Sequence, residues 1–362
     1  MKKWFCLLLP WLFLAEVFAE GDNIREQAKI LNKQGEREAA LVARSHKRLH
    51  HRQPADTTMF YDNVVEMFAA CMACDVCDSK AAACDNTKPL YREKNTQRLM
   101  KACPYLIDGG LYMFDKSIYD KAQRMFSTYI DFTSSRLFSG KRTIESDALL
   151  SDVAFYAMAS AFRNKDYKTV LKYAEWGIKN KENYKDVLEL KAEACKQMGD
   201  TAQYETTLFE GILLCSDDNG SFLGNMVEHY CSTSRRDEAV RITDLALRND
   251  SGNYYNWFLK GYLCQEGKQY DEAVKAYKRS VALDQDFSIG YICLGYCFEQ
   301  KASAYISGIS KEKFEKQTYA DFLVTVKESY EKALLLQPED EQIVSSLERV
   351  SRQLEELFET PK

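Results

Sequence analysis

A spacing of 34 or 35 residues runs through the middle of this chain and constrains its fold more than any single motif. Val170, Tyr204, Ala239 and Ala273 follow one another at steps of 34, 35 and 34. Gly177, Gly211, Ala246 and Ser280 repeat the same steps, each seven residues later. Residues seven apart share one face of a helix, so each period carries a helix with two contact points on that face. The stretch NYYNWFLKGYLCQEGKQYDEAVKAYKRSVALDQD then reads as two amphipathic helices meeting at Gly267-Lys268. Trp257, Gly261 and Cys264 share a face of the first, and Ala273, Tyr277 and Ser280 a face of the second. Gly261 and Ala273 are expected to face each other where the backbones approach, with Trp257 and Tyr277 filling the space around them.

This pattern resembles the tetratricopeptide repeat, with its large residue, small residue four later, and Ala, aromatic and Ala down the second helix. Upstream, YLIDGGLYMFDKSIYDKAQRMFSTYIDF supplies Gly110, Tyr119, Ala122, Phe126 and Tyr129 in the same roles. It precedes the next unit by 48 residues, one period plus a 14-residue insertion near 137–150. Downstream, Leu294 and Gly295 mark a first helix. Its partner, with Tyr330, Ala333 and Pro338, is delayed by an insertion near 301–318. Six units thus cover Cys103 to Pro338, after an N-terminal helical, cysteine-rich segment at 20–102 and before a capping helix at 339–362. The resemblance implies an all-α, right-handed superhelical solenoid of antiparallel helix pairs. Its first helices would line a concave groove that takes a peptide or protein.

The opening MKKWFCLLLPWLFLAEVFAEGD has the form of an export signal: Lys2 and Lys3, an apolar run from Trp4 to Leu14, then Val17-Phe18-Ala19. Pro10 interrupts the run and Glu16 ends it, short of the ~20 residues a spanning helix needs. Cys6 stands at the front of the run, where a lipoprotein cysteine does not belong. Cleavage after Ala19 is expected, leaving 343 residues of an exported chain, periplasmic or secreted, with no stable membrane insertion. With two lysines and one glutamate gone, the formal charge moves from -5 to -6, which argues against a nucleic-acid partner. Six prolines are few, and the chain is rich in Ala, Leu, Glu and Lys, as helices throughout require.

No catalytic constellation stands out: the chain has no phosphate loop, nucleophile elbow or His-Glu-x-x-His helix, and no cofactor is implied. His46 and His50 are one helical turn apart in RSHKRLHHR, but without a third ligand at matching spacing they read as a solvated basic helix face. The cysteines carry more. Eleven remain after cleavage, and six of these lie in the repeats, where a buried thiol serves as a small hydrophobe. The other five are Cys71, Cys74, Cys77, Cys84 and Cys103. Their start is faintly similar to a bacterial ferredoxin motif, but the fourth interval is seven instead of four. Zinc fits the ligand type without the two close Cys-x-x-Cys pairs. A structural reading is favoured: TTMFYDNVVEMFAACMA and KPLYREKNTQRLMKA form a helical pair, and one or two disulfides pin the cysteine-bearing connection. A thiol-redox or metal function is the alternative.

Groove positions are those of the first helix that do not pack on the second. They are Tyr255, Phe258 and Tyr262 in one unit, and Ile289, Ile292 and Tyr296 in the next. In the unit beginning near Lys185 they are Asp186, Glu189, Glu193 and Lys196, so the groove turns from charged to aromatic toward the C-terminus. An insertion at 303–317, with Tyr305 and Phe314, could fold back over that aromatic surface.

Overall fold

The computed structural model describes residues 21–50, 56–84, 86–140, 144–215, 220–308 and 314–358. Among them the regular structure is helical, apart from turns. Helix α1 (Gly21–His50) pairs with α2 (Thr57–Cys84), and α3 (Arg92–Asp115) with α4 (Tyr119–Thr133). Then follow α5 (Ile144–Arg163) with α6 (Tyr167–Gly177), and α7 (Tyr184–Met198) leading to α8 (Thr201–Leu214). The later pairs are α9 (Gly220–Ser232) with α10 (Arg236–Asn249), α11 (Tyr254–Glu266) with α12 (Tyr270–Leu283), and α13 (Ser288–Gly308) with α14 (Lys316–Leu336). Helix α15 (Glu341–Phe358) closes the series on α14. Helices joined by turns this short must run antiparallel, so the chain is an all-α succession of antiparallel pairs. It divides into two compact bodies inside α8, one ending at Thr207 and the other beginning at Leu208.

The turn inside five of the pairs has a fixed form. Ser117, Lys165, Gly199, Ser234 and Lys268 all adopt left-handed backbone, with φ between 55° and 71°. At each, the next residue donates its N–H across six residues: Ile118 to Met113, Asp166 to Ala161, Asp200 to Cys195, Arg235 to Tyr230 and Gln269 to Cys264, at 2.7–3.0 Å. This is a Schellman cap, which satisfies the last helical carbonyls and reverses the chain. The five sites are separated by 48, 34, 35 and 34 residues, so the turn keeps the period as well as the core does.

Packing repeats likewise. Val170, Tyr204, Ala239 and Ala273 are all buried, as are Gly177, Gly211 and Ser280. The atoms nearest Gly261, however, are those of Tyr277, not Ala273: a Cβ at Gly261 would stand 2.6 Å from the Tyr277 ring. Gly110 meets Phe126 and Gly295 meets Tyr330 in the same way. The glycine of the first helix therefore seats the aromatic of the second. The small residue at Ala273 also packs in the core formed with Cys264, Leu294 and Cys297. The glycine-to-aromatic interval is 16 residues in the first two cases and 35 in the third, and the difference measures the insertion near 301–318.

That insertion lengthens a helix pair. Helices α13 and α14 are both 21 residues long, and residues 309–313 between them lie outside the described residues. Tyr305 packs on Phe314 and Phe322, at centroid distances of 6.1 and 6.0 Å, and Phe314 on Tyr319. The aromatics of the insertion are thus engaged within their own pair.

Two expectations for the N-terminal segment are corrected. Cys71, Cys74, Cys77 and Cys84 stand on one unbroken helix, α2, instead of in a connection. Cys103 lies in the middle of α3, which begins at Arg92 and continues through Pro104 at the loss of one hydrogen bond. The segment from Thr57 is therefore the second helix of a pair whose first is α1, and the residues after Pro89 open the next pair. Side-chain chemistry fixes this register. Arg92 grips Asp75 through Nε (2.7 Å) and Nη2 (3.2 Å) and donates to Ser79 Oγ at 2.5 Å. Asp78 Oδ2 accepts the Tyr91 N–H at 2.7 Å, capping the start of α3 from the end of α2.

Candidate functional site

The cysteine tract and the aromatic surface are the two candidate sites, and they differ sharply in chemistry. On α2, Cys71 and Cys74 are buried, Cys77 is half-buried and Cys84 exposed. Cys71 packs on Gly35 of α1, where a Cβ would fall 2.6 Å from its sulfur. Cys74 Sγ donates to the Ala28 carbonyl at 3.2 Å. Ala28 and Gly35 are seven apart, so one face of α1 is cut away to let the sulfurs of α2 approach. Arg98 reaches Cys71 Sγ at 3.4 Å and Asn95 Oδ1 at 2.6 Å. Burial pushes the Cys74 and Cys103 thiols up to about 12. It also raises Cys71, against the opposing pull of Arg98, and Cys77. The nucleophile and the metal ligand are both the thiolate, so these groups are held in their inert form.

All eleven cysteines of the described residues are free thiols, and among those residues no three of His, Cys, Asp or Glu are placed to share a metal ion. His46 lies beside the ring of Tyr105, at 5.4 Å between centroids; the His50 side chain is outside the described residues.

The aromatic surface lies in the C-terminal body, on α11 and α13. Tyr255 lies across α9, its hydroxyl occupying the place a Cβ of Gly224 would take, 2.5 Å away. Phe258 stacks obliquely on Tyr255 (5.6 Å) and meets Tyr277 (5.8 Å) and the edge of Phe287 (5.1 Å). Phe258 thus joins the cores on either side of it. Tyr262 and Ile292 are half-buried, while Ile289 and Tyr296 stand 48% and 40% exposed. Burial raises the phenols of Tyr255, Tyr262 and Tyr296, and neighbouring acids add to it, so all three are hydrogen-bond donors at neutral pH. The six positions form two rows of one pattern, a graded surface whose base is core and whose rim is solvent.

Two features here escaped sequence reasoning. One is the tie of Asp75 and Asp78 to Arg92 and Tyr91, for which the only signal was two acids at helical spacing among the cysteines of α2. The other is a row of carboxylates beside the aromatics: Glu228 on α9, Glu266 on α11 and Glu299 on α13. Glu228 and Glu266 both act on the Tyr262 phenol, after burial and alongside Cys231.

No family profile matches the chain, and no curated protein matches it. Among solved structures it is similar to MamA from Desulfovibrio magneticus RS-1, at 14% identity over 53% of this chain and 97% of that one, with a TM-score of 0.35. It is also similar to a TPR repeats protein from Bacteroides fragilis NCTC 9343, at 16% identity over 69% and 98%, with a TM-score of 0.34. A third is a tetratricopeptide repeat protein from Parabacteroides merdae ATCC 43184, at 13% identity over 69% and 98%, with a TM-score of 0.40.

Proposed function

We propose that this chain is a noncatalytic, exported scaffold that holds a peptide or protein segment against α11 and α13. The observation that carries the reading is the pairing of exposed Ile289 and Tyr296 with half-buried Tyr255, Tyr262 and Ile292 on successive first helices. Aromatic and aliphatic side chains grouped in this way mark interaction surfaces, because a soluble chain gains nothing by leaving them in water. The phenol hydroxyls add directed hydrogen bonds to apolar contact, the combination favoured at binding sites. The acidic net charge supports a protein partner over nucleic acid.

Rim and base of the surface should respond differently to truncation. Ile289→Ala with Tyr296→Ala is expected to weaken capture of a crosslinked partner from the exported fraction about tenfold or more, with the melting temperature unchanged. Phe258→Ala should instead cost roughly 3 kcal/mol of stability, since its ring fills space between two cores. Stable binding by the rim variant would place the partner surface elsewhere.

Export rests on the leading sequence, and residues 1–20 lie outside the described residues. N-terminal sequencing of exported material should begin Glu20-Gly21-Asp22, and a chain still carrying Lys2 would contradict cleavage.

A further inference from the structure

Carboxylates end the apolar rows of the aromatic surface. Tyr255 and Tyr262 on α11 are seven residues apart, and Glu266 follows four later. Ile289 and Tyr296 on α13 are seven apart, and Glu299 follows three later. Each row of apolar groups therefore ends in a carboxylate one turn on, and Glu228 of α9 stands one turn after Gly224, against which the Tyr255 hydroxyl rests. Glu299 is held by Arg349 at 2.8 Å. Glu228 and Glu266 are exposed and form no ion pair among the described residues.

Two nearby lysines are engaged with other carboxylates, and one arginine stands at the Glu266 end of α11, its guanidinium against Gly267. Lys260 pairs with Asp244 at 2.7 Å, Lys301 with Asp271 at 2.6 Å, and Arg236 donates to the Leu263 carbonyl at 2.6 Å. The surface is thus apolar along its length, and the two carboxylates left without an ion pair among the described residues, Glu228 and Glu266, both lie near Tyr262.

We infer that the segment bound there is a basic amphipathic one. Its Lys or Arg side chains pair with Glu228 and Glu266 and lie over Tyr262 and Tyr296, while its apolar side chains rest on Ile289 and Ile292. The inference builds on the groove reading above and adds the chemistry of the occupant. A guanidinium or ammonium gains twice in this setting, from the carboxylate and from the face of the ring beside it. An acidic segment would bring like charges together at the same carboxylates, which selects against it.

The test is selection of a random 12-residue peptide library, displayed on phage, against the immobilised full chain. Glu228→Gln/Glu266→Gln and Ile289→Ala/Tyr296→Ala variants are run in parallel. Peptides retained by the parent chain should be enriched in Lys or Arg beside aliphatic or aromatic residues. A fluorescein-labelled peptide from that set should bind the Gln variant about tenfold more weakly, with the difference shrinking as salt rises. Retained peptides that are apolar or acidic, or that bind the Gln variant equally well, would overturn the inference while leaving the groove intact, provided the Ile289→Ala/Tyr296→Ala variant loses them. If no peptide is enriched and that variant changes nothing, the groove reading falls with it. Self-association abolished by the Gln substitutions would make the occupant a second copy and overturn a separate basic partner.

Discussion

Replacing Tyr277 by alanine is expected to cost about 3–5 kcal/mol of stability, the range for deleting a fully buried aromatic ring. Tyr277 is wholly buried in the C-terminal body, and its hydroxyl donates to Gln265 Oε1 at 3.0 Å. Its loss would leave a cavity and strand the amide oxygen, which otherwise accepts only a long contact of 3.6 Å from Cys297 Sγ. Gly261→Leu should destabilise by roughly 1–3 kcal/mol for the opposite reason, since its side chain would enter the volume that the Tyr277 ring fills. The sharper expectation concerns the two together. A leucine at 261 can occupy the space vacated by the ring, so the double variant should be more stable than the sum of the singles predicts, by about 1–3 kcal/mol. Denaturant unfolding of the four chains measures this directly. Strict additivity would mean that the glycine and the aromatic do not share one space, and the repeat register would have to be redrawn.

The period of 34 or 35 residues was legible because it is written in residue size. Val170, Ala239 and Ala273 stay small or slim at one register position, which Tyr204 alone fills with a large side chain. Turn chemistry was not legible. A Schellman cap usually announces itself with glycine, but the five left-handed positions inside helix pairs are Ser117, Lys165, Gly199, Ser234 and Lys268. Only one of them carries the expected signal. The other four bear about 1 kcal/mol each in backbone cost, offset by the helix packing on either side. Position in the repeat, not residue type, decides those turns.

Tyr277 was foreseen as filling space around the Gly261 crossing, and its ring proves to be the glycine's nearest neighbour. Size alone suggests that two small residues meet. The alternative, a glycine opposite an aromatic, buries more apolar surface in the same space. The pairs Gly110–Phe126 and Gly295–Tyr330 could have exposed this in advance, because each spans the same interval once the insertion is subtracted.

The N-terminal segment misled through its cysteines. Four of them near Asp75, Asp78 and Ser79 look like a stapled connection, but the intervening Ala and Met residues favour helix. The polar groups have partners that no local pattern reveals: Arg92 and the N–H of Tyr91, thirteen to seventeen residues away. At the aromatic surface, spacing identified which residues share a face. It could not show that Phe258 would be drawn into core contacts while Tyr296, on the same face one unit on, remains at the rim.

Thiol reactivity should separate a packing role from a chemical one by several orders of magnitude. Reaction with iodoacetamide requires the thiolate, and a thiol at about 12 is ionised to roughly one part in ten thousand at pH 8. An ordinary thiol near 8.5 is ionised to about a quarter under the same conditions, so ionisation alone slows Cys74 and Cys103 by a factor on the order of a thousand. Burial of Cys71 and Cys74 against Gly35 and Ala28 then restricts access to moments of local opening. In the folded protein, a brief pulse without reductant should mark the exposed Cys84 and leave Cys71, Cys74 and Cys103 unmarked; unfolding in denaturant should release all of them together. Mass mapping reads both results and would also reveal any disulfide. Rapid labelling of Cys71 or Cys74, or their recovery as a disulfide, would contradict the packing seen between α1 and α2 and return the tract to redox chemistry. Slow labelling, released only by unfolding, identifies the sulfurs as the small apolar groups that let those two helices approach.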